Sequence, residues 1–482
     1  METKNSLAIL VGVAVFVMVL GVVTQSRAEI SLCGDEFTMT GFLRYEFALH
    51  IAESNPNLEE NHDINLSRAF FQTEWNYKPT DVFKVFAKAR FTSDQTSQWD
   101  SHLDEYNAFP VDVPSSDWTM MRAGRGDNWR AEIWELYSDL SLGNLWLRLG
   151  KQQIAWGEMI GLRMMDAINS VDYSWHFMFE PEEFENIRIP NWMIRANYLI
   201  TDTPQWISDV SVEGFFNPGD VVPNFYGEPG APFRIMPNMG PSMKFEEEDR
   251  RGDQEYGVRF GGLLGSFYFT LNYLYVYNDD AAMNFQGFEQ GPAGMVIKIK
   301  NQYPVTDIYG FSCNYAIGGK INTVVTVEAK WVPNLPYMDA KEYLPEIKDQ
   351  GTFSYAINLS RPTFLMLGRL PSANVALQFA QIIVEGDEDR VFIGQQKVDK
   401  VQTIVGGMIM QNLMHNDVTV AIQPLYDTDG AYMFKPSFKY TYGDYWYFDL
   451  YAIFCGGSED RPGRFGSLGW ADEVVSRITF QF

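Results

Sequence analysis

Apolar and polar side chains alternate with a period of two along most of the chain, and the apolar members are large and often aromatic. Across 81–91, Phe83, Val85, Ala87, Ala89 and Phe91 fall on one face and Lys84, Lys88 and Arg90 on the other. Leu145, Leu147 and Leu149 oppose Asn144, Arg148 and Gln152, while Phe434, Phe438, Tyr440 and Tyr442 oppose Lys435, Ser437 and Lys439. Period two places alternate residues on opposite sides of a sheet and predicts strands. About eighteen runs of roughly nine to sixteen residues read this way, long enough to cross a bilayer when tilted. They fall near 36–51, 63–78, 80–93, 130–142, 144–153, 190–200, 207–217, 254–263, 265–278, 304–316, 318–330, 350–360, 372–384, 399–413, 415–426, 431–442, 444–455 and 473–482.

The connections separate a membrane barrel from a soluble sandwich. After even-numbered runs they are mostly short (KPTD, LGN, LLGS, IGGK, HND, YGD); after odd-numbered runs they are mostly long, as at 52–62, 94–129, 154–189, 218–253, 279–303, 331–349 and 456–472. An outer-membrane barrel has this rhythm because its turns stay in the periplasm and its loops outside. The exceptions, 361–371 and Asp427 to Gly430, leave the expectation at sixteen to eighteen strands of an all-β, transmembrane antiparallel barrel.

Composition agrees: of 482 residues, 15% are aromatic, and 39 glycines exceed 23 prolines, a balance suited to sheet. The apolar run from Leu7 to Val23, followed by Ser26-Arg27-Ala28, reads as a secretory signal peptide cleaved after Ala28, the alternative being an uncleaved anchor. Residues 1–28 are thus a signal peptide and 29–482 a single barrel. Leu32, before Cys33, is too large for lipidation. The net charge of −25 argues against nucleic acid as a partner. Three scattered cysteines with no CxxC or CxxCH give neither a disulfide framework nor a haem site.

The last run, VVSRITFQF, sets Val474, Ile478, Phe480 and Phe482 on one face and ends the chain on an aromatic ring. Here the chain resembles bacterial outer-membrane β-barrel proteins, whose aromatic-ended last strand is the signal for the barrel assembly machinery. The resemblance implies the outer membrane of a Gram-negative bacterium. The partners it implies are that machinery, outer-membrane lipid and lipopolysaccharide. A homo-oligomer is compatible with it, although nothing in the sequence marks an oligomeric face.

With the aromatic face toward lipid, Arg44, Arg68, Lys84, Lys88, Arg90, Arg148 and Arg195 point inward with Glu46 and Glu74, joined later by Arg259, Lys330, Lys435, Lys439, Arg477, Glu255, Glu328 and Asp449, so the wall reads net basic. In general porins the third outer loop folds inward and narrows the pore. By that likeness, 154–189 is expected to form a constriction with Glu158, Arg163, Asp166, Asp172 and Arg188 facing Lys84, Arg90, Arg148 and Arg195. A transverse field of this kind would sort charged solutes.

The motif Gly150-Lys151-Gln152 with Trp156-Gly157-Glu158, followed by Asp166, Ile168-Asn169, Asp172 and Ile189-Pro190, resembles a family of uncharacterised Gram-negative barrels classed as a domain of unknown function. That resemblance implies a channel, in some members associated with export of hydrophobic compounds. The function expected is therefore a porin-like channel for small solutes. Trp156, Met164, Met165 and Trp175 are the candidate contacts of a hydrophobic ligand, which is the alternative within transport; a non-conducting scaffold or adhesin is the alternative outside it. The five histidines form no nucleophile elbow, and HExxH, HxxEH and EF-hand patterns do not occur, so no catalytic residue, metal or cofactor is expected.

Overall fold

The computed structural model describes residues 30–32, 36–52, 64–99, 121–126, 128–159, 164–173, 176, 184–219, 221–225, 243–248, 252–291, 294–339, 346–363, 373–386, 390–392, 396–457 and 468–482. Among them eighteen antiparallel strands close into one barrel. They are β1 (Phe37–His50), β2 (Ile64–Tyr77), β3 (Phe83–Asp94), β4 (Trp129–Leu142), β5 (Leu145–Gln152) and β6 (Asn191–Ile200). Next come β7 (Ser208–Asn217), β8 (Glu255–Leu264), β9 (Phe267–Tyr277), β10 (Val305–Ile317), β11 (Thr323–Asp339) and β12 (Glu346–Thr363). The last six are β13 (Ala373–Val384), β14 (Val401–Leu413), β15 (Val418–Asp427), β16 (Tyr432–Tyr442), β17 (Trp446–Gly456) and β18 (Glu473–Gln481). Each strand pairs with its sequence neighbour, and β18 pairs with β1 from Phe42↔Gln481 to His50↔Glu473.

Closure leaves no edge whose backbone groups would face lipid unpaired. The seam is finished by the last residue: Gly41 N–H donates to the Phe482 carbonyl and Phe482 N–H to the Gly41 carbonyl, both at 2.9 Å. A Cβ at Gly41 would lie 2.4 Å from the Gln72 carbonyl oxygen, so only glycine fits there. Deleting Phe482 removes both bonds and a ring stacked 6.2 Å from Phe71. The shortened barrel is expected to lose its compact, SDS-resistant gel band at a lower temperature than the full chain.

Burial is inverted relative to a soluble protein. Tyr45, Trp75, Leu149, Tyr198, Leu271, Tyr309, Phe438 and Ile478 are exposed, whereas Glu46, Arg68, Lys88, Arg90, Glu328, Lys435 and Arg477 are buried. The aromatic face therefore forms the outer belt and the charged face the inner wall, as alternation requires of a membrane barrel.

Several long connections are more ordered than alternation predicts, two of them most extensively. The connection expected at 331–349 is mostly strand, because β11 runs on to Asp339 and β12 begins at Glu346 after a register shift between Val332 and Leu335. Pro333 and Pro336 break the alternation there, which hides the extension from the sequence. Within 279–303, strands Ala282–Gly291 and Gly294–Gln302 join Met243–Glu247 in a separate three-stranded sheet.

Candidate functional site

The site is built where β5 ends. Gly150 has φ +134°, and a Cβ on it would sit 2.3 Å from the Leu136 carbonyl oxygen. This left-handed residue breaks the alternation, so Lys151 and Gln152 are both buried instead of one facing lipid. Lys151 Nζ donates to the Ile133 carbonyl at 2.9 Å and Gln152 Nε2 to the Met193 carbonyl at 2.9 Å. The segment that follows returns to β6 through Ile189.

Its two ends are joined by Asn169. The Asn169 side chain accepts from Ile154 N–H at 2.8 Å and donates to the Ile189 carbonyl at 2.7 Å. Asp166 pairs with Arg188 at 2.5 Å, and Arg188 also reaches Gln153 at 3.3 Å. Gly157 admits the close return of the chain, since a Cβ there would be 2.9 Å from the Asp166 nitrogen.

From this base the segment is bonded to inner faces around the barrel. Arg90 of β3 donates to the carbonyl of Asn186, within the short helix Phe184–Ile187, at 2.7 Å, and stacks 3.9 Å over Trp134. Asp172 accepts from Arg130 of β4 at 3.1 Å. Trp156 Nε1 donates to Glu213 of β7 at 2.6 Å, and its ring stands edge-on to Phe215 at 5.5 Å. The Glu158 carboxylate takes Arg259 of β8 at 3.3 Å and the Asn314 amide of β10. Glu328 of β11 accepts three backbone amides, from Glu158, from Met159 at 3.2 Å and from Met165 at 3.2 Å. His176 meets Glu473 of β18 at 3.3 Å, beside Asn65 of β2 at 3.1 Å.

Apolar contacts complete the arrangement. Trp156, Met165 and Ile168 pack with Leu274, Val276 and Ile308, and Met165 occupies the space that a side chain at Gly310 would need. Met164 packs against Ala356, Ala380 and Ile404, with Met159 alongside. The wall is thus divided. Toward β9 to β14 it is neutral or apolar apart from Glu328, Lys330 and Lys348. Toward β1 to β7 it carries closely spaced charges of both signs.

The basic wall expected from the sequence is corrected by those charges. Arg68 pairs with Asp94 at 2.8 Å, Lys88 with Glu74 and Glu135 at 3.1 Å, and Arg130 with Glu132 at 3.4 Å. Arg148 is held by Asp139 at 2.7 and 3.0 Å and stacks 3.7 Å over Tyr137; Arg195 is held by Glu213 at 2.9 Å. The acids Asp94, Glu132, Glu135, Asp139 and Glu213 come from positions that the parity reading passed over. In β4 the alternation slips opposite Lys88/Ala89, and Trp134 and Glu135 are both buried. Arg148 and Arg195 therefore face wall acids, not the segment's carboxylates.

Of the residues singled out from the sequence, Glu158, Asp166, Asp172 and Arg188 lie together on the segment, and Arg90 touches it. Arg195 connects to it through the Glu213 carboxylate that Trp156 shares. Lys84, its ammonium 5.9 Å over the Phe86 ring, and Arg148 stand on the wall. Arg163 and Trp175 lie outside the described residues. Asn169, which lies within the motif, and Glu213 are contributors that the sequence did not single out; Glu328, expected on the inner wall, is found to hold the segment.

A family profile described as "Protein of unknown function (DUF1302)" matches residues 19–420. The chain belongs to the DUF1302 family. Among solved structures, OccAB3 of Acinetobacter baumannii is similar at 9% identity and TM-score 0.50, covering 93% of this chain and 99% of that one. OccK8 (OprE) of Pseudomonas aeruginosa is similar at 10% identity and TM-score 0.48, over 93% of this chain and 98% of its own. Salmonella typhi OmpF, solved with daunomycin, gives 10% identity and TM-score 0.43 over 94% and 100%. At such identities OccAB3 attests the porin-like barrel fold of this DUF1302 chain. No curated protein matches it in sequence.

Proposed function

We propose that this DUF1302 barrel is a channel in the outer membrane of a Gram-negative bacterium that passes small solutes by diffusion. Its lumen is narrowed by the 154–189 segment. The observation that carries the reading is the set of bonds tying this one segment to β3, β8, β11 and β18, strands spread around the barrel. A connection that served only as a surface loop would not bury Trp156, Met165, Asp172 and His176. Solutes then pass beside the segment, along paired charges whose opposing signs favour polar molecules over any one sign of ion.

Conductance of the purified protein in a planar bilayer tests this reading: a steady current supports it, and its absence overturns it. Replacing Arg148 and Arg195 together with alanine leaves the Asp139 and Glu213 carboxylates without these cations. The reversal potential in a salt gradient is expected to move toward cation selectivity. An unchanged potential would place the path elsewhere.

A second reading has its own observation. Met159 and Met164 lie against Ala356, Ala380 and Ile404, an apolar stretch of inner wall suited to a hydrophobic compound. Saturable binding of an apolar fluorophore, weakened by Met164→Gln, would favour it. Neither current nor binding would leave the scaffold reading.

A further inference from the structure

A closed barrel has no edge strand, so a proline in mid-strand deprives a neighbouring carbonyl of its donor. Pro424 stands within β15 and Pro436 within β16. The β14–β15 ladder runs from Ile404↔Asp427 to Gly406↔Leu425 and resumes in the same register only at Ile409↔Ile422. The β16–β17 ladder likewise stops at Phe434↔Phe454 and resumes at Ser437↔Tyr451. Between β15 and β16 pairing is unbroken from Val418↔Tyr440 to Tyr426↔Tyr432. One hairpin is therefore joined to the wall on each side by an interrupted ladder. Since Pro424 pairs with Phe434 and Ile422 with Pro436, the interruptions stand at nearly the same height.

The two sides differ in chemistry. At β16–β17 the inner rim is charged, with Lys435 buried and its ammonium 4.7 Å over the Tyr451 ring. At β14–β15 the interruption lies between Gly406-Gly407-Met408 and Gln423-Pro424-Leu425. Leu425 fills the space above Gly406, where a Cβ would meet its Cδ2 at 2.3 Å, and packs on the Met164, Ala380 and Ile404 cluster. The Met408 sulfur is 3.5 Å from the Gln423 amide. On the lipid side Val405, Ile409, Ile422 and Tyr426 are exposed. An apolar surface thus continues from the methionines of the segment through the wall, with one leucine filling the way.

We propose that the β14–β15 seam is a lateral portal by which an apolar solute passes between the lumen and the surrounding lipid, Leu425 being its gate. The proposal rests on the channel reading in its hydrophobic-compound form, for its inner end is the methionine side of the 154–189 segment. Parting two strands in a bilayer exposes unpaired backbone groups to hydrocarbon, and each such group opposes the opening. At this seam fewer paired groups are lost, because Pro424 donates nothing.

The test locks the seam. In a chain carrying Cys33→Ala, Cys313→Ala and Cys455→Ala, the cross-strand pair Val405→Cys with Tyr426→Cys is oxidised to a cystine. A second lock, Ile409→Cys with Ile422→Cys, flanks the interruption from the other side. Leu271→Cys with Phe311→Cys places a control cystine between β9 and β10. Each protein is reconstituted in vesicles with a lipopolysaccharide outer leaflet, which N-phenyl-1-naphthylamine enters slowly alone. The expected result is severalfold slower entry of this probe with either lock, restored by dithiothreitol, while ion current and the control are unaffected; Leu425→Ala speeds entry in the unlocked chain. Locked protein admitting the probe as fast as unlocked protein overturns the portal. Ion current without accelerated probe entry overturns the portal and leaves the channel standing; neither current nor entry overturns both.

Discussion

Replacing Glu328 with alanine is expected to raise the single-channel conductance severalfold in a planar bilayer. Glu328 is buried in β11 and accepts the backbone amides of Glu158, Met159 and Met165, so it holds the inward segment through groups that no other substitution removes. A hydrogen bond to a charged group contributes about 1.5–3 kcal/mol, and losing three such bonds together outweighs what a short segment recovers from water. The amides cannot follow the missing carboxylate, and the adjoining Met164 and Met165 contacts lose their anchor. Glu328→Gln keeps one acceptor oxygen and should fall between wild type and alanine. The barrel ladders are untouched, so the gel mobility of the folded form should stay as in wild type. A wild-type conductance in Glu328→Ala would mean that Glu328 does not set the position of the segment.

The largest loss of stability is expected from Asp94→Ala. Arg68 and Asp94 are both buried, with Asp94 Oδ2 lying 3.0 Å from Nε and 2.8 Å from Nη2 of Arg68. Removing one partner of a buried ion pair costs about 3–5 kcal/mol, because the remaining charge is less well compensated and does not regain water. Asp94 Oδ1 also accepts the Thr96 amide at 2.9 Å, so the turn after β3 loosens as well. The transition from the compact to the unfolded band on heating in SDS should move to clearly lower temperature. Asp94→Asn, which retains the turn acceptor, should recover part of the loss. Equal transition temperatures for Asp94→Ala and wild type would sink the assignment.

The barrel was legible because lipid outside and polar lumen inside impose period two on nearly every strand. All eighteen strands lie on runs that the alternation marks. What alternation missed follows from local breaks in it: the prolines at 333 and 336 hid the extension of β11 and β12, and the slip in β4 hid Glu132, Glu135 and Asp139 among the inward groups. The segment was harder to read. Its motif carries Gly150, Trp156, Gly157, Glu158 and Asn169, whose roles depend on close approaches and bonds within and around the segment. The anchoring by Glu328 is made to backbone amides, which have no letter in the sequence, and the partners of Arg148 and Arg195 depend on register across strands.

Asn169 ties Ile154 to Ile189, and Arg188 reaches Gln153, so the inward segment is closed at its base. A connection whose two feet are joined in this way behaves as a cassette. Its interior can lengthen, shorten or change charge while β5 and β6 keep their register, so the barrel and what it admits can be altered separately.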